Sequence, residues 1–424
     1  MNRKTFAFVS RVLTLLCACL MGLPGIVRAE TVSTESLVLH IDFTTFVKES
    51  FRVSPDGRRA AYLCRTREGW FLVLDGRSQG PYEAVGPALT FSPDSRHLAC
   101  VAQEEGKQFV LVNGRKEKGY DGIGESPVFS PNSMRIAYAA EAGGKWFVVL
   151  DGNEGKPYDG IGTAPVFSPD GTRIAYAAEA GGKWFLVVNG KEGKPYEAIG
   201  SSPVFSPDGN RVAFLARSGG LWVAVVDGRE GKGYEGMTCA PVFSPDGRHV
   251  AYGAGRGGRQ FVVVDKTEGR EYDALCTVPV FSPDSQRVAY GARRKGRWVV
   301  VVDGTEFGPY DEVDGPPVFS PDSRRAAFRA RSGKNWFVVL DGLNEKGYEE
   351  GITTAPVFSP DSRHLAYGAK RGREYWIVLD GVEGTHYDDV VSMGGGTIVF
   401  DSQDRFHHLA LKGDDIYLID VRLQ

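Results

Sequence analysis

Beyond residue 29 the sequence contains no apolar run approaching the roughly 20 residues needed to cross a bilayer, so no membrane span is expected in the mature chain. Cysteine is scarce. Only Cys64, Cys100, Cys239 and Cys276 follow position 29, at spacings that match no metal motif and are too sparse for a disulfide framework. They read as small buried hydrophobes, with a Cys64–Cys100 bridge left open for an oxidising compartment. Neither sign of charge dominates: 50 basic residues face 53 acidic ones. The first 29 residues hold Arg3, Lys4, Arg11 and Arg28 and no acid, so the remainder has 46 basic against 53 acidic residues, a net −7. That balance excludes a general nucleic-acid binder, which needs a net basic face. What is abundant is glycine, 54 residues or roughly 13% against a usual value of about 7%. It has no collagen period and would be wasted in helices, so it must serve turns.

Residues 1–29 read as a secretory signal. Arg3, Lys4 and Arg11 precede a mostly apolar stretch from Val12 to Val27, and Val27-Arg28-Ala29 offers small residues at the outer cleavage positions. An uncleaved anchor, or lipoprotein processing at Leu16-Cys17-Ala18-Cys19, are the rival readings. Residues 30–424 then form one domain.

Self-similarity sets the organisation of that domain. Ser-Pro-Asp/Asn-Gly/Ser begins at Ser54 and recurs at intervals of 38 through Ser320, then after 39 at Ser359. Tyr82, Tyr120, Tyr158 and their successors through Tyr387 recur in phase. One unit reads as four short strands: Pro165–Ser168, Arg173–Ala178, Lys183–Val188 and a fourth around Tyr196–Ile199. Gly, Pro and Asn-Gly supply the turns between them. The third strand, as in Trp146-Phe147-Val148-Val149-Leu150, does not alternate with polar residues, so both its faces need cover. Four-stranded antiparallel units stacked radially satisfy that requirement, and the fold class expected is an all-β β-propeller of about ten modules. The tenth unit has only three strands, near Ile398–Phe400, Phe406–Leu411 and Asp415–Val421. A spare strand within Ser36–Phe46 is expected to complete it and close a single ring. Two five-bladed rings have no break in repeat phase to support them, and an open solenoid is disfavoured by the complementary terminal units.

The sentence Ser-Pro-Asp-Gly-x-Arg-[Ile/Val]-Ala-[Tyr/Phe], seen at Ser168–Tyr176 and Ser206–Phe214, resembles the WD40-like (PD40) repeat. That repeat typifies the propeller of periplasmic TolB and its bacterial relatives. The resemblance covers roughly residues 51–391. It implies a periplasmic or secreted envelope protein acting by protein or ligand binding. There is no room here for the separate N-terminal domain of the transport-accessory proteins, nor for a C-terminal peptidase domain, and the tryptophan-centred motif of quinone-dependent propellers is missing.

Repeated residues read as scaffold. The aspartates of the Ser-Pro-Asp turns and of the Asp/Asn-Gly pairs are turn acids rather than calcium ligands. The column Trp70, Trp146, Trp184, Trp222, Trp298 and Trp336, with Gln108, Gln260 and Tyr375 at equivalent positions, reads as blade-to-blade packing. Arg59, His97, Arg135, Arg173, Arg211, His249, Arg287, Arg325 and His364 form another column. No metal site is expected from His386, His407 and His408, no cofactor site from Gly253–Gly258, where no helix follows, and no catalytic set can be named. Specificity is instead sought where repeats differ. The loop between strands two and three carries Glu104, Glu105, Glu141 and Glu179 in early units. Later units carry Arg256, Arg259, Arg293, Arg294, Lys295, Arg297, Arg331, Lys334, Lys370, Arg371 and Arg373. These residues form the candidate binding rim, an acidic arc facing a basic arc. The function expected is a non-enzymatic, monomeric, extracytoplasmic scaffold for an envelope or secreted protein or an anionic polysaccharide. A hydrolase or lyase at the ring mouth is the alternative.

Overall fold

Branched and aromatic residues flanked by glycine turns give every unit the same antiparallel sheet. The computed structural model describes residues 31–392 and 396–424; the leader expected over 1–29 lies outside them. In the fourth unit the inner strand comes in two pieces, Gly160–Ile161 and Val166–Phe167. Ile174–Ala180, Lys183–Val188 and Lys191–Tyr196 follow outward. The inner strand therefore starts earlier than expected and breaks before Pro165, which has no N–H to give a ladder. The run Tyr196–Ile199 is not one strand. Tyr196 ends the fourth strand of its own blade, and Ala198–Ile199 opens the next blade.

Ten such blades span residues 46–82, 84–120, 122–158, 160–196, 198–234, 236–272, 274–310, 312–348, 351–387 and 389–423. The expected closing strand proves to be two strands. Thr31–His40 pairs antiparallel with Asp415–Leu423 as the outer edge of blade ten, and Phe46–Val53 is the inner strand of blade one. Between them Asp42 ends the first strand by accepting the Thr44 N–H at 3.0 Å and the Thr45 hydroxyl at 3.0 Å. The ring is single and closed, because successive blades share apolar clusters all the way round. Leu39, Val391 and Leu409 of the last blade's side pack with Phe51, Tyr62 and Val73 of blade one. At most other interfaces the column tyrosine of one blade meets an aromatic ring in the next edge-on, as Tyr158 meets Tyr176 at 6.3 Å between ring centres.

One face of the ring is made of Ser-Pro-Asp turns. The serine is fully buried in Ser168, Ser206 and Ser282, its hydroxyl donating to the turn carboxylate and accepting the N–H five residues on. The fourth turn residue has positive φ, +71° at Gly209 and +64° at Ser323. Glycine adopts that conformation without strain. Serine offsets its strain with a bond to the preceding blade: Ser323 Oγ accepts the Asp284 N–H at 2.9 Å. The arginine column fastens the same face. Arg211 Nε donates to Asp227 at 2.9 Å, Nη1 donates to the Gly247 and Arg248 carbonyls of the next blade at 2.8 and 3.0 Å, and the guanidinium lies 5.1 Å from the Phe243 ring centre. Arg59, Arg173 and Arg287 repeat the clamp on their own neighbours. His249 and His364 keep only the bond to the turn acid.

Candidate functional site

The opposite face is built from the turns joining strands two and three, so all fifteen candidate rim residues stand at one end of the ring. In a ring of ten, blades seven to nine lie across from blades two to four. Glu104, Glu105, Glu141 and Glu179 therefore face Arg293, Arg331, Lys370 and their neighbours.

The structure divides the rim residues into two groups. Arg256 pairs with Glu268 and Glu271 at 3.2 and 3.1 Å, Arg294 with Glu306 at 2.6 Å, Arg297 with Asp311 at 3.0 Å and Arg331 with Glu312 at 3.0 Å. Arg259 pairs with Asp273, and Glu104 with Lys116. These six belong to the scaffold. Arg293, Lys295, Lys334, Lys370, Arg371 and Arg373 have no carboxylate within 4.0 Å among the described residues, nor do Glu105, Glu141 and Glu179 have a cation. Three of the free cations rest on aromatic rings: Arg293 on Trp298 at 5.5 Å, Lys370 on Tyr375 at 5.8 Å and Arg371 on Trp376 at 5.4 Å. Such stacking fixes a cation without neutralising it. The column tryptophans are partly buried, whereas Trp376 is fully buried, and Trp70, Trp298 and Trp336 border the apolar clusters of their interfaces, as a packing column should.

A second column, missed in the sequence, holds these hairpins in place. An acid one or two residues after most of the column tyrosines reaches into the next blade, where Asp121 accepts the Gly143 N–H at 2.9 Å and Asp159 the Gly181 N–H at 2.8 Å. Each also binds a lysine of its own blade, Lys107 at 2.5 Å and Lys145 at 2.6 Å, which holds the carboxyls below their ordinary range. The recurring Tyr-Asp/Glu pair was the available signal. Outside that column, Asp389 on the inner strand of blade ten is pushed up to about 6 by burial, against the opposing pull of the Val390 backbone bond, Lys48 and Lys370.

Cys64 and Cys100 are free thiols; burial pushes that of Cys100 up to about 12. Cys276 is exposed, against the expectation of burial. Among the described residues, Asp401, His407 and Asp420 bring metal-capable atoms within 4.8 Å of one another. Those atoms are engaged in closing the ring. His407 is buried, with Nδ1 2.8 Å from Asp401 and Nε2 2.6 Å from the Asp56 carbonyl of blade one, while Arg58 and Arg405 sit 3.1 and 3.0 Å from Asp401 and Asp420. His407 thus performs the interblade reach of the arginine column. His386 faces Glu374, and His408 is wholly buried and held neutral, its basicity lowered to about 4 by desolvation.

The architecture defines a ten-bladed β-propeller with a rigid, unevenly charged hairpin face. No protein-family model matches the chain, and no curated protein matches it. Among solved structures it is similar to a eukaryotic initiation factor, at 13% identity over 77% of this chain and 95% of that one, with a TM-score of 0.48. TolB from Acinetobacter baumannii aligns at 15% identity over 67% and 77% of the two chains, TM-score 0.29. The GH74 enzyme of Niastella koreensis aligns at 12% over 88% and 77%, TM-score 0.31. At these values no activity, substrate or partner passes from them to this chain.

Proposed function

We propose that the protein is a noncovalent binding scaffold of the bacterial envelope or secreted space, presenting the hairpins of blades seven to nine to an acidic partner. The leader-like segment before residue 30 supports export. The observation that carries the binding reading is the set of six unpaired cations on three consecutive blades. A run of lysines around the outer edge is paired by contrast, as in the Lys118–Glu154, Lys156–Glu192 and Lys194–Glu230 pairs at 2.6 Å. Uncompensated like charges repel one another, so their retention on hairpins fixed by interblade bonds favours an external anion. The loops need no movement to bind, because the sheets beneath hold them. An anionic polysaccharide and an acidic protein surface share this chemistry. Retention of the mature chain on immobilised polyuronate and on poly-glutamate separates the two. The charge-reversed Arg293→Glu, Lys295→Glu, Arg371→Glu variant is expected to lose about tenfold or more of that retention at low salt. Retention equal to that of the unaltered protein on both supports would overturn the proposal.

A further inference from the structure

The position that opens strand three is aromatic in seven blades and glutamine in two, Gln108 and Gln260. In blades four and five the indole lies across a glycine of its own inner strand: a Cβ on Gly162 or Gly200 would fall 2.4 or 2.5 Å from Trp184 or Trp222. Blade two keeps that glycine, Gly86, but has Gln108 in place of the indole. A Cβ on Gly86 would meet nothing nearer than the Val101 carbonyl oxygen at 3.6 Å. Gln108 does not fill the space, because its Oε1 turns across the interface to accept the Ile123 N–H of blade three at 2.7 Å. The result is an open hollow of about 580 Å³ between blades two and three, walled by Gly86, Pro87, Val101, Gln108, Ile123 and Glu125. Blade six shows how the same loss is compensated. Gln260 makes the equivalent bond to the Leu275 N–H at 2.7 Å, but Thr238 replaces the glycine and, with Cys239, covers strand two at Gly253.

We infer that this hollow is a docking site for an aromatic side chain of a partner protein, presented beside basic residues. The shape argument is that the vacated volume is the one a tryptophan occupies in sister blades, between walls of small and apolar residues. Charge complementarity selects the partner. Glu125 lines the hollow, and Glu105 and Glu141 stand on the hairpins at either side of it, without cationic partners among the described residues. An aromatic ring flanked by lysine or arginine meets all of these groups; an acidic segment would be repelled. The site lies across the ring from the basic arc and uses none of its residues, so either reading can fail alone.

The test is isothermal titration of the intact mature chain with the peptide acetyl-Lys-Trp-Lys-amide. One-to-one saturable binding is expected. Gln108→Trp and Gly86→Thr should each weaken it by about tenfold or more. Each substitution installs the residue that another blade carries at that position, so thermal unfolding should stay near that of the unaltered protein; if one variant fails to fold, the other decides. Replacing the peptide lysines with glutamine should also weaken binding, and Arg293→Glu, Lys295→Glu, Arg371→Glu should leave it unchanged. Absence of saturable binding, or binding that survives both substitutions, overturns the site. Equal affinity for free indole and for the glutamine peptide overturns the assignment to a basic partner segment.

Discussion

Two arginines on opposite faces of the ring illustrate how differently the same side chain is used. Arg211 on the Ser-Pro-Asp face holds an acid of its own blade and two carbonyls of the next, and covers Phe243. Arg293 on the hairpin face rests on Trp298 and has no carboxylate partner among the described residues. The first face is nearly invariant from blade to blade because its turns and arginines bond both within their own blade and across to the next, so a change in one unit leaves a partner unsatisfied in another. The second face varies because, apart from the tip N–H held by an acid of the preceding blade, its side chains bond to little beyond their own hairpins. Repetition marks the contacts that hold the ring, and departure from repetition marks surface free to serve something else.

The largest expected effect contrasts these two residues directly. Arg211→Ala should lower stability by about 2 kcal/mol, since bonds made by a charged donor are lost and next-blade carbonyls are left without it. Arg293→Ala should stay within about 0.5 kcal/mol, as surface substitutions do. Urea unfolding of both variants checks this, and equal losses would break the contrast between faces. A smaller effect separates strain from bonding on the Ser-Pro-Asp face. Ser323→Ala removes the bond to Asp284 N–H while keeping a positive φ, and should cost about 1 kcal/mol or more. Ser323→Gly loses the same bond but relieves the backbone, so it should come out milder. If alanine is tolerated as well as glycine, the hydroxyl is not holding the neighbouring blade.

The smallest effect distinguishes the faces by pH. Asp170 is held down to about 2 by the Ser168 and Thr172 hydroxyls, a stabilisation present above the unfolded value near 4 and lost as pH falls from there through about 2. Asp389 is displaced the other way, to about 6, so its burial as an anion works against the fold at neutral pH and ceases to do so as pH drops toward 4. Asp389→Asn should therefore raise the melting temperature at pH 8 and have less effect at pH 4.5. A gain of the same size at both values would show that the carboxyl is not titrating with folding.

Much of this architecture was legible because it repeats. The Ser-Pro-Asp series gave the blades, and the three-stranded last unit gave the need for a closing strand. What escaped was partnership between blades. The constant sixteen-residue step from Arg211 to Asp227, or from Arg287 to Asp303, was present in the sequence, yet nothing local says that the same arginine also spans to Gly247 or Ser323. The break at Asp42 escaped although aspartate is a turn former, since sheet-forming residues flank it on both sides and the turn bonds that divide Ser36–Phe46 are visible only in the structure. For the rim, sequence gave the placement of charge but not its neutralisation. Arg294 and Lys295 are neighbours in the chain, and only the outer-strand Glu306 distinguishes the paired residue from the free one.

The pairing of Thr31 with Leu423 has a consequence for the order of events in the life of the chain. Its two halves are separated by nearly the whole sequence, so the join is the most costly contact to reach and belongs among the last. A polypeptide emerging from a narrow pore can stack blades one behind another, each on its predecessor. It cannot become a ring until Asp415–Leu423 is free to meet Thr31–His40, and until then it is a curved ribbon with two bare edges.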